Sequence, residues 1–249
     1  MKIQNTDLQI ITNIQDFCSM ESEWNVLLDQ HPSPNIFLTH AWIRCWLEVF
    51  GDQNEILIFT HRENGRLDFI APLMRSRRKY LRYVPKNTIH FIGIDRSDYQ
   101  DYIYSKGNEK WILPLLDELT NCYPKDFISF SNIPEHSPSR NILDEYLRLK
   151  KTGKKVQITK APYIILSEVS EKDYRKKTYM NLKRRLEKEA QLKIKKIGKE
   201  ETDQYLDILF EQHRDKWDHD NRVSLFNDDL NRIFYRKLAV ELNKKNMLD

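Results

Sequence analysis

Two carboxylates stand on either side of a tyrosine in the run Ser97-Asp98-Tyr99-Gln100-Asp101. A carboxylate can hold an amine or a hydroxyl group, or accept its proton during a reaction. The run therefore predicts part of a pocket for an acceptor molecule, with Asp98, Tyr99 and Asp101 as candidate catalytic residues. The same residue types are also typical of an Asp-rich turn whose side chains bind nearby backbone N–H groups. The sequence leaves both interpretations open.

His213 is a second candidate for catalysis, because it shares a predicted helical face with apolar residues and lies one helical turn before Trp217. Imidazole titrates near neutral pH, so this side chain could act as a base or bind a substrate oxygen. Trp217 could serve as a stacking platform for a substrate. A hydrogen-bonded, partly buried histidine and a core tryptophan are the structural alternatives.

Positive charge is concentrated in one stretch of the chain. Residues 171 to 199 contain twelve Lys or Arg against four Asp or Glu, whereas the whole chain has a formal net charge of +4. Lys183, Arg184, Arg185 and Lys188 could bind the phosphates of CoA, of a lipid-linked precursor or of tRNA, because guanidinium pairs well with phosphate. A solvated helix face is the alternative, and both interpretations also apply to residues 75 to 79.

Several other classes of site find no support in the sequence. The three cysteines form no CxxC pair, and His136 has no second histidine at ligand spacing, so neither a disulfide framework nor a metal site is predicted. No apolar run approaches the roughly 20 residues of a membrane span. The start of the chain lacks a signal-peptide core, which predicts a cytoplasmic protein. No G-x-S-x-G segment occurs, so direct transfer between bound substrates is expected rather than a covalent intermediate.

Hydrophobic periodicity predicts the elements that position these residues. A strand at 8 to 12 and a helix at 20 to 30 are followed by a helix with Thr39 as N-cap and Gly51 as stop. Asn64-Gly65 predicts a tight hairpin. Further strands are expected at 88 to 92, 101 to 104 and 127 to 131, with a helix at 111 to 122.

The second half of the chain repeats part of this order. A strand is predicted at 154 to 166, followed by an exposed cationic helix in which Leu182 and Leu186 belong to a series recurring every fourth residue. A strand at 192 to 197 and helices at 202 to 217 and 228 to 243 then repeat the strand, helix, helix order of the start.

Seven local segments match one family in the same order along the chain. They are Trp24 with Leu27, F-x-x-x-x-W-x-x-x-W from 37 to 46, Ile70-Ala71-Pro72-Leu73, Ser97-Asp98-Tyr99-x-Asp101, N-I-P-x-x-S-P from 132 to 138, Asn181-Leu182-Lys183-Arg184-Arg185-Leu186, and His213-Arg214-x-Lys216-Trp217. The chain thereby resembles acyltransferases of the GNAT superfamily, in particular the two-domain CelD-like, FemAB-related group. The resemblance implies a mixed α/β fold with a mostly antiparallel sheet flanked by helices.

The same resemblance implies transfer of an acyl group from acyl-CoA, such as acetyl-CoA, to a nitrogen or oxygen of a cell-envelope, polysaccharide or small amine acceptor. FemAB relatives use aminoacyl-tRNA instead, so a nucleic acid partner is expected only if the chain is of that kind. A non-catalytic module that binds RNA, anionic lipid or another polyanion through its basic helix is the competing hypothesis.

The resemblance also predicts how the chain is divided into domains. The chain departs from the family pattern at one motif. It predicts a first domain at 1 to 168, a basic linker helix at 169 to 191 and the beginning of an incomplete second domain at 192 to 249. The family's Q/R-x-x-G-x-G/A loop, whose backbone holds the donor pyrophosphate, has no counterpart here. Most donor contacts are therefore expected beyond residue 249, and this segment alone is expected to be inactive or only partly active.

Overall fold

One mixed sheet organises the computed structural model, which describes residues 7–80, 84–151, 153–155, 160, 177–189, 195 and 197–247. The strands lie in the order β1-β2-β3-β4-β6, and β5 pairs with β3. All neighbouring strands are antiparallel except β4 and β6, which are parallel. The strands are β1 (Gln9–Ile11), β2 (Glu55–Glu63), β3 (Arg66–Tyr80), β4 (Val84–Phe91), β5 (Ile103–Tyr104) and β6 (Phe127–Ile128).

Helices cover both faces of this sheet. The described helices are α1 (Ile14–Ser19), α2 (Glu21–Leu28), α3 (His40–Phe50), α4 (Ile112–Cys122), α5 (Pro138–Lys150), α6 (Lys177–Glu189), α7 (Thr202–His219) and α8 (Asp229–Lys244). The structure confirms the predicted fold class, a mixed and mostly antiparallel sheet flanked by helices.

Alternation along β3 decides which residues face which helices, because successive side chains of a strand point to opposite faces. Ile70 and Met74 pack with α2 and α3 in one core cluster. Phe69 and Leu73 pack with α4 in the other. Ser76 follows Met74 by two positions, so its side chain lies on the face that carries α3.

Local signals in the sequence account for two boundaries in this scaffold. The side chain of Thr39 accepts a hydrogen bond from the N–H of Trp42 at 3.2 Å, which makes it the N-cap of α3 as predicted. Asn64 and Gly65 have φ angles of 51° and 80°, as a tight two-residue hairpin turn requires. These positions therefore fix where α3 starts and how β2 pairs with β3.

Helix α8 packs directly on α3, although α3 and α8 were predicted to belong to different domains. Phe234, Leu238 and Leu242 are at most 4% exposed and belong to the same core cluster as the α2 and α3 side chains. Three ion pairs surround this contact and join α8 and its C-cap Lys245 to α2 and α3: Arg44 with Glu241, Lys237 with Glu48, and Lys245 with Glu21.

Some elements differ from the sequence prediction. Residues 138 to 150 form helix α5, for which no element was predicted; Ser137 is its N-cap and Pro138 occupies its first position. The predicted strand at 127 to 131 is limited to Phe127–Ile128. The predicted strands at 154 to 166 and 192 to 197 fall largely outside the described residues. No helix in the described part of the chain has the length and apolar character needed to cross a membrane.

Candidate functional site

The connection from β4 to β5, residues 92 to 102, is a tightly folded loop that carries the predicted Asp98-Tyr99 pair. It starts at Gly93, whose φ of 87° favours glycine. A Cβ at this position would lie 2.7 Å from the Ser97 hydroxyl oxygen. The Gly93 carbonyl accepts hydrogen bonds from the N–H groups of Arg96 and Ser97, at 2.8 and 3.0 Å. This loop is hereafter called the β4–β5 loop.

Buried polar side chains anchor the β4–β5 loop to the elements around it. The indole N–H of Trp42 on α3 donates to the Ser97 hydroxyl at 3.0 Å. The amide of Gln100 donates to the carbonyl of Ile92 at 2.8 Å. Ser97 and Gln100 are each 3% exposed, so both hydrogen bonds are shielded from water and hold the loop in one conformation.

Asp101 is the third buried anchor. Its carboxylate accepts hydrogen bonds from the Ser137 hydroxyl at 2.5 Å and from the N–H of Tyr102 at 2.8 Å. Burial raises the pKa of Asp101 to about 6, while the hydrogen bonds from Ser137 and Ser139 oppose that rise. The buried side chain thus joins the loop to the N-terminus of α5.

Asp98 and Tyr99 form the exposed apex of the loop. Tyr99 is 40% exposed, and its ring centroid lies 6.2 Å from that of Phe37. Asp98 acts electrostatically on Tyr235 of α8: burial raises the pKa of this phenol, Arg96 lowers it and Asp98 raises it. Of the three candidates in the run, these two therefore face solvent beside α8, whereas Asp101 is buried.

A row of contacting rings leads from the loop apex to His213. Successive ring centroids lie 4.8 to 6.2 Å apart along the row of Tyr99, Phe37, Trp42, Phe234, Tyr235, Phe226 and His213. The row runs from the β4–β5 loop across α3 and α8 to α7. The structure therefore places the sequence-predicted residues at the two ends of one aromatic layer.

His213 itself lies in a partly buried position on α7. Its Nδ1 is 2.8 Å from the Ser224 hydroxyl, which also accepts a hydrogen bond from the N–H of Phe226. The ring of Trp217 stacks on it at 5.4 Å with an interplanar angle of 12°. Both side chains are thus held by neighbours within the α7–α8 segment.

A cleft of about 270 Å³ opens between α3 and the β3–β4 face of the sheet, directly beside the β4–β5 loop. The loop contributes Asp95 and Arg96 to the lining of this cleft. The remaining lining residues are Trp46, Phe50, Asn54, Met74, Ser76, Arg77 and His90.

Ser76 and His90 form a hydrogen-bonded pair in this cleft. The Ser76 Oγ lies 2.7 Å from the Nε2 of His90, and the His90 Nδ1 lies 2.8 Å from the carbonyl oxygen of Phe91. Because a carbonyl oxygen only accepts hydrogen bonds, Nδ1 of the neutral ring carries the hydrogen. Nε2 is then the acceptor, and the Ser76 hydroxyl donates to it.

Charged side chains also line the cleft. Arg77 is exposed at its edge, and Arg96 lies over the Phe50 ring at 5.3 Å while its Nε donates to Asn231 of α8 at 2.7 Å. Asp95 supplies the acidic group among the lining residues. The guanidinium group of Arg96 therefore accompanies the Ser76–His90 pair.

The predicted phosphate-binding residues lie elsewhere. Every described side chain from 181 to 189 on α6 is exposed, and two of the basic ones form ion pairs within the helix, Arg185 with Glu189 and Lys183 with Glu187. Within the 75 to 79 cluster, Arg75 pairs with Asp126 and Glu55. Arg75 is thus engaged by the scaffold, whereas α6 presents its charges to solvent.

Sequence reasoning missed the Ser76–His90 pair because the two residues are 14 positions apart on different strands. Their proximity depends on the β3–β4 register, in which Met74 faces His90 and Ser76 faces Thr88. Ser76 and His90 are therefore diagonal neighbours on one face.

No group of three or more His, Cys, Asp or Glu in the described ranges is arranged to hold a metal ion. No protein-family model matches the chain, and no curated protein matches it.

Solved structures of acetyltransferases superpose loosely on part of the chain. An acetyltransferase from Trypanosoma brucei is 14% identical, with a TM-score of 0.36, and the match covers 62% of this chain and 99% of that one. The glucosamine-6-phosphate N-acetyltransferase from Arabidopsis thaliana is 12% identical, with a TM-score of 0.34 and coverage of 63% and 99%. An aminoglycoside 6'-N-acetyltransferase from Acinetobacter baumannii is 9% identical, with a TM-score of 0.34 and coverage of 64% and 99%. Because these TM-scores are below 0.5, the superpositions do not assign a family or an activity to this chain.

Proposed function

We propose that this chain carries out acyl transfer from a thioester donor to an amine or hydroxyl acceptor, at the cleft beside the β4–β5 loop. The observation that carries this proposal is the Ser76–His90 pair, in which a hydroxyl donates to an imidazole nitrogen at 2.7 Å inside a cleft. A hydroxyl bound to a neutral imidazole is the arrangement by which proteins activate oxygen for acyl chemistry. The ordered sequence resemblance to acyltransferases points to the same class of reaction.

The surrounding side chains fit the demands of that reaction. His90 is 1% exposed and its tautomer is fixed by the Phe91 carbonyl, so Nε2 is a pre-oriented proton acceptor. The Arg96 guanidinium supplies positive charge in the same cleft, where negative charge develops on a thioester oxygen during attack. The aromatic floor of Trp46 and Phe50 offers apolar contact to the acyl chain.

The acceptor is assigned to the exposed apex of the β4–β5 loop. The Asp98 carboxylate would bind an ammonium group, and the Tyr99 ring would cover it. The three buried anchors of the loop, Ser97, Gln100 and Asp101, keep this apex in place. The acyl donor is proposed to be an acyl-CoA, with acetyl-CoA the simplest example.

Binding and turnover test this proposal. Isothermal titration with acetyl-CoA should give saturable binding, and release of free thiol should accelerate when a panel of amines, amino sugars and hydroxyl acceptors is added. Replacement of Asp98 and Tyr99 by alanine should reduce the acceptor-dependent rate and leave donor binding unchanged. If acetyl-CoA neither binds nor loses its acyl group with any acceptor, this proposed activity fails.

A second candidate function, binding of a polyanion without catalysis, is favoured by helix α6. Its Lys183, Arg184, Arg185 and Lys188 are all exposed. Binding of RNA or anionic vesicles through these residues would weaken steeply with salt, by a log–log slope of about −0.7 per phosphate contact for single strands. Replacing the four residues by glutamine would flatten that slope, whereas replacing Ser76 would not change it.

A further inference from the structure

We infer that Ser76 is a covalent nucleophile, which accepts the acyl group as an ester before passing it to the final acceptor. This inference rests on the proposed function, because it names the path of the acyl group within the same cleft. It differs from direct transfer, which the absence of a nucleophile motif predicted.

The burial of His90 carries the argument. His90 is 1% exposed, whereas Ser76 is partly exposed and lines the cleft. The Ser76 hydroxyl already occupies Nε2 at 2.7 Å, and Nδ1 is engaged by the Phe91 carbonyl. A substrate hydroxyl or amine would have to displace Ser76 to reach the imidazole. The oxygen that His90 can deprotonate without any rearrangement is therefore Ser76 Oγ.

The chemical step balances with the groups present. The Ser76 O–H bond breaks, its proton goes to His90 Nε2, and Oγ forms a bond to the thioester carbonyl carbon. The carbon–sulfur bond then breaks, and the departing thiolate takes the proton from His90, which leaves an O-acyl serine, a free thiol and a neutral imidazole. An acceptor amine or hydroxyl then gives its proton to His90 and attacks the ester, and Ser76 Oγ leaves and recovers that proton.

Rigid positioning of the pair supports a nucleophile rather than a chance contact. Ser76 and His90 stand on adjacent antiparallel strands whose ladder runs through eight residue pairs. Arg96 lines the same cleft, where its guanidinium would stabilise the oxyanion formed on attack. A serine held in this way against an imidazole nitrogen is expected to react with serine-directed reagents even without a natural substrate.

The chain offers a matched control in Ser33, whose Oγ lies 3.4 Å from Nε2 of His136. This is a second serine beside a histidine, but the distance between the two atoms is longer than the roughly 2.5 to 3.0 Å that is usual for a hydrogen bond donated by a hydroxyl group. Ser33→Ala therefore tests whether any serine–histidine contact suffices. Ser76→Ala removes a single oxygen from a partly exposed position, and its fold is checked by the thermal unfolding midpoint.

The experiment treats the protein separately with a fluorophosphonate and with acetyl-CoA, and maps the adduct by peptide mass spectrometry. The inference expects modification of Ser76 by both reagents, no adduct at that site in Ser76→Ala, unchanged labelling in Ser33→Ala, and labelling about 100-fold slower or more in His90→Gln. Fluorophosphonate labelling of Ser76 without an acetyl adduct would support the nucleophile and count against acyl-CoA as donor. Acyl turnover that persists in Ser76→Ala would leave the proposed function intact and overturn the inference. Absence of any Ser76 adduct with either reagent would also overturn it.

Discussion

Arg96 of the β4–β5 loop donates a hydrogen bond from Nε to the side-chain oxygen of Asn231 on α8 at 2.7 Å, across 135 positions of the sequence. The Asn231 amide in turn donates to the carbonyl of Leu225 at 2.8 Å. One buried asparagine thus connects the candidate site to the helix that packs on α3. The conformation of the loop therefore depends on α8.

Replacing Asn231 by leucine should destabilise the protein by about 1–3 kcal/mol, because the Leu225 carbonyl and the Arg96 guanidinium lose a buried partner. Urea unfolding measures the change. The control Asn227→Ala lies on an exposed position in the same segment and should change the free energy of unfolding by no more than about 0.5 kcal/mol. Equal effects of the two substitutions would show that the Asn231 hydrogen bonds do not stabilise this junction.

Gly93→Ala should distort the β4–β5 loop. The substitution adds backbone strain at positive φ, of about 1–3 kcal/mol, and places a Cβ 2.7 Å from the Ser97 oxygen. Gly107→Ala is the matched control, since Gly107 has a similar φ of 92° but no atom within 4 Å of the added Cβ. Calorimetric unfolding should show a larger loss of stability for Gly93→Ala. Similar losses would indicate that backbone strain alone determines both effects.

Asp101 should give the protein a measurable pH dependence of stability. Burial raises its pKa from 3.8 to about 6, so the folded protein binds more protons than the unfolded chain between these values. The stabilisation that this group contributes is complete below pH 3.8 and is lost as the pH rises through about 6. The loss amounts to about 3 kcal/mol at most.

Asp101→Asn removes this titration and keeps the size of the side chain. Urea titrations from pH 4 to pH 7 should therefore show a smaller decline, or a greater rise, in stability with pH for the variant than for the wild type. Parallel pH profiles for the two proteins would contradict the assigned burial of a titrating carboxyl group at this position.

Asp98 should discriminate between classes of acceptor. If its carboxylate binds an ammonium group, Asp98→Asn removes an exposed ion pair of about 0.2–1 kcal/mol and raises KM for an amine acceptor about 1.4- to 5-fold. KM for a neutral hydroxyl acceptor should not change. Steady-state kinetics with both acceptors, and with the exposed Asp29→Asn as control, measure this. Equal changes in KM for the two acceptors would remove Asp98 from amine recognition.

The sequence predicts the scaffold better than the site. The N-cap at Thr39 and the hairpin at Asn64-Gly65 were predicted correctly, because each is a local signal that depends on a few adjacent residues. Helix α5 was missed, although Ser137-Pro138 is a typical start of a helix.

The site is harder to predict from the sequence than the scaffold, because the positions of its residues depend on tertiary structure. Asp98, Tyr99 and Asp101 are close in sequence and were predicted to share one pocket, but burial separates Asp101 from the exposed pair. Nothing local reveals that Ser76 meets His90, because their contact follows from strand register. Similarly, the packing of α8 on α3 depends on apolar contacts between segments almost 200 positions apart, which no periodicity can pair.

The rate of thiol release from acetyl-CoA in wild type and His90→Gln, with a saturating amine or hydroxyl acceptor, tests the central claim most directly. An acyltransferase that uses the Ser76–His90 pair should lose about 100- to 10,000-fold in kcat, since general base catalysis contributes this much, while its affinity for acetyl-CoA remains unchanged. A His90→Gln variant that folds and turns over at the wild-type rate would contradict the assignment of acyl transfer to this cleft.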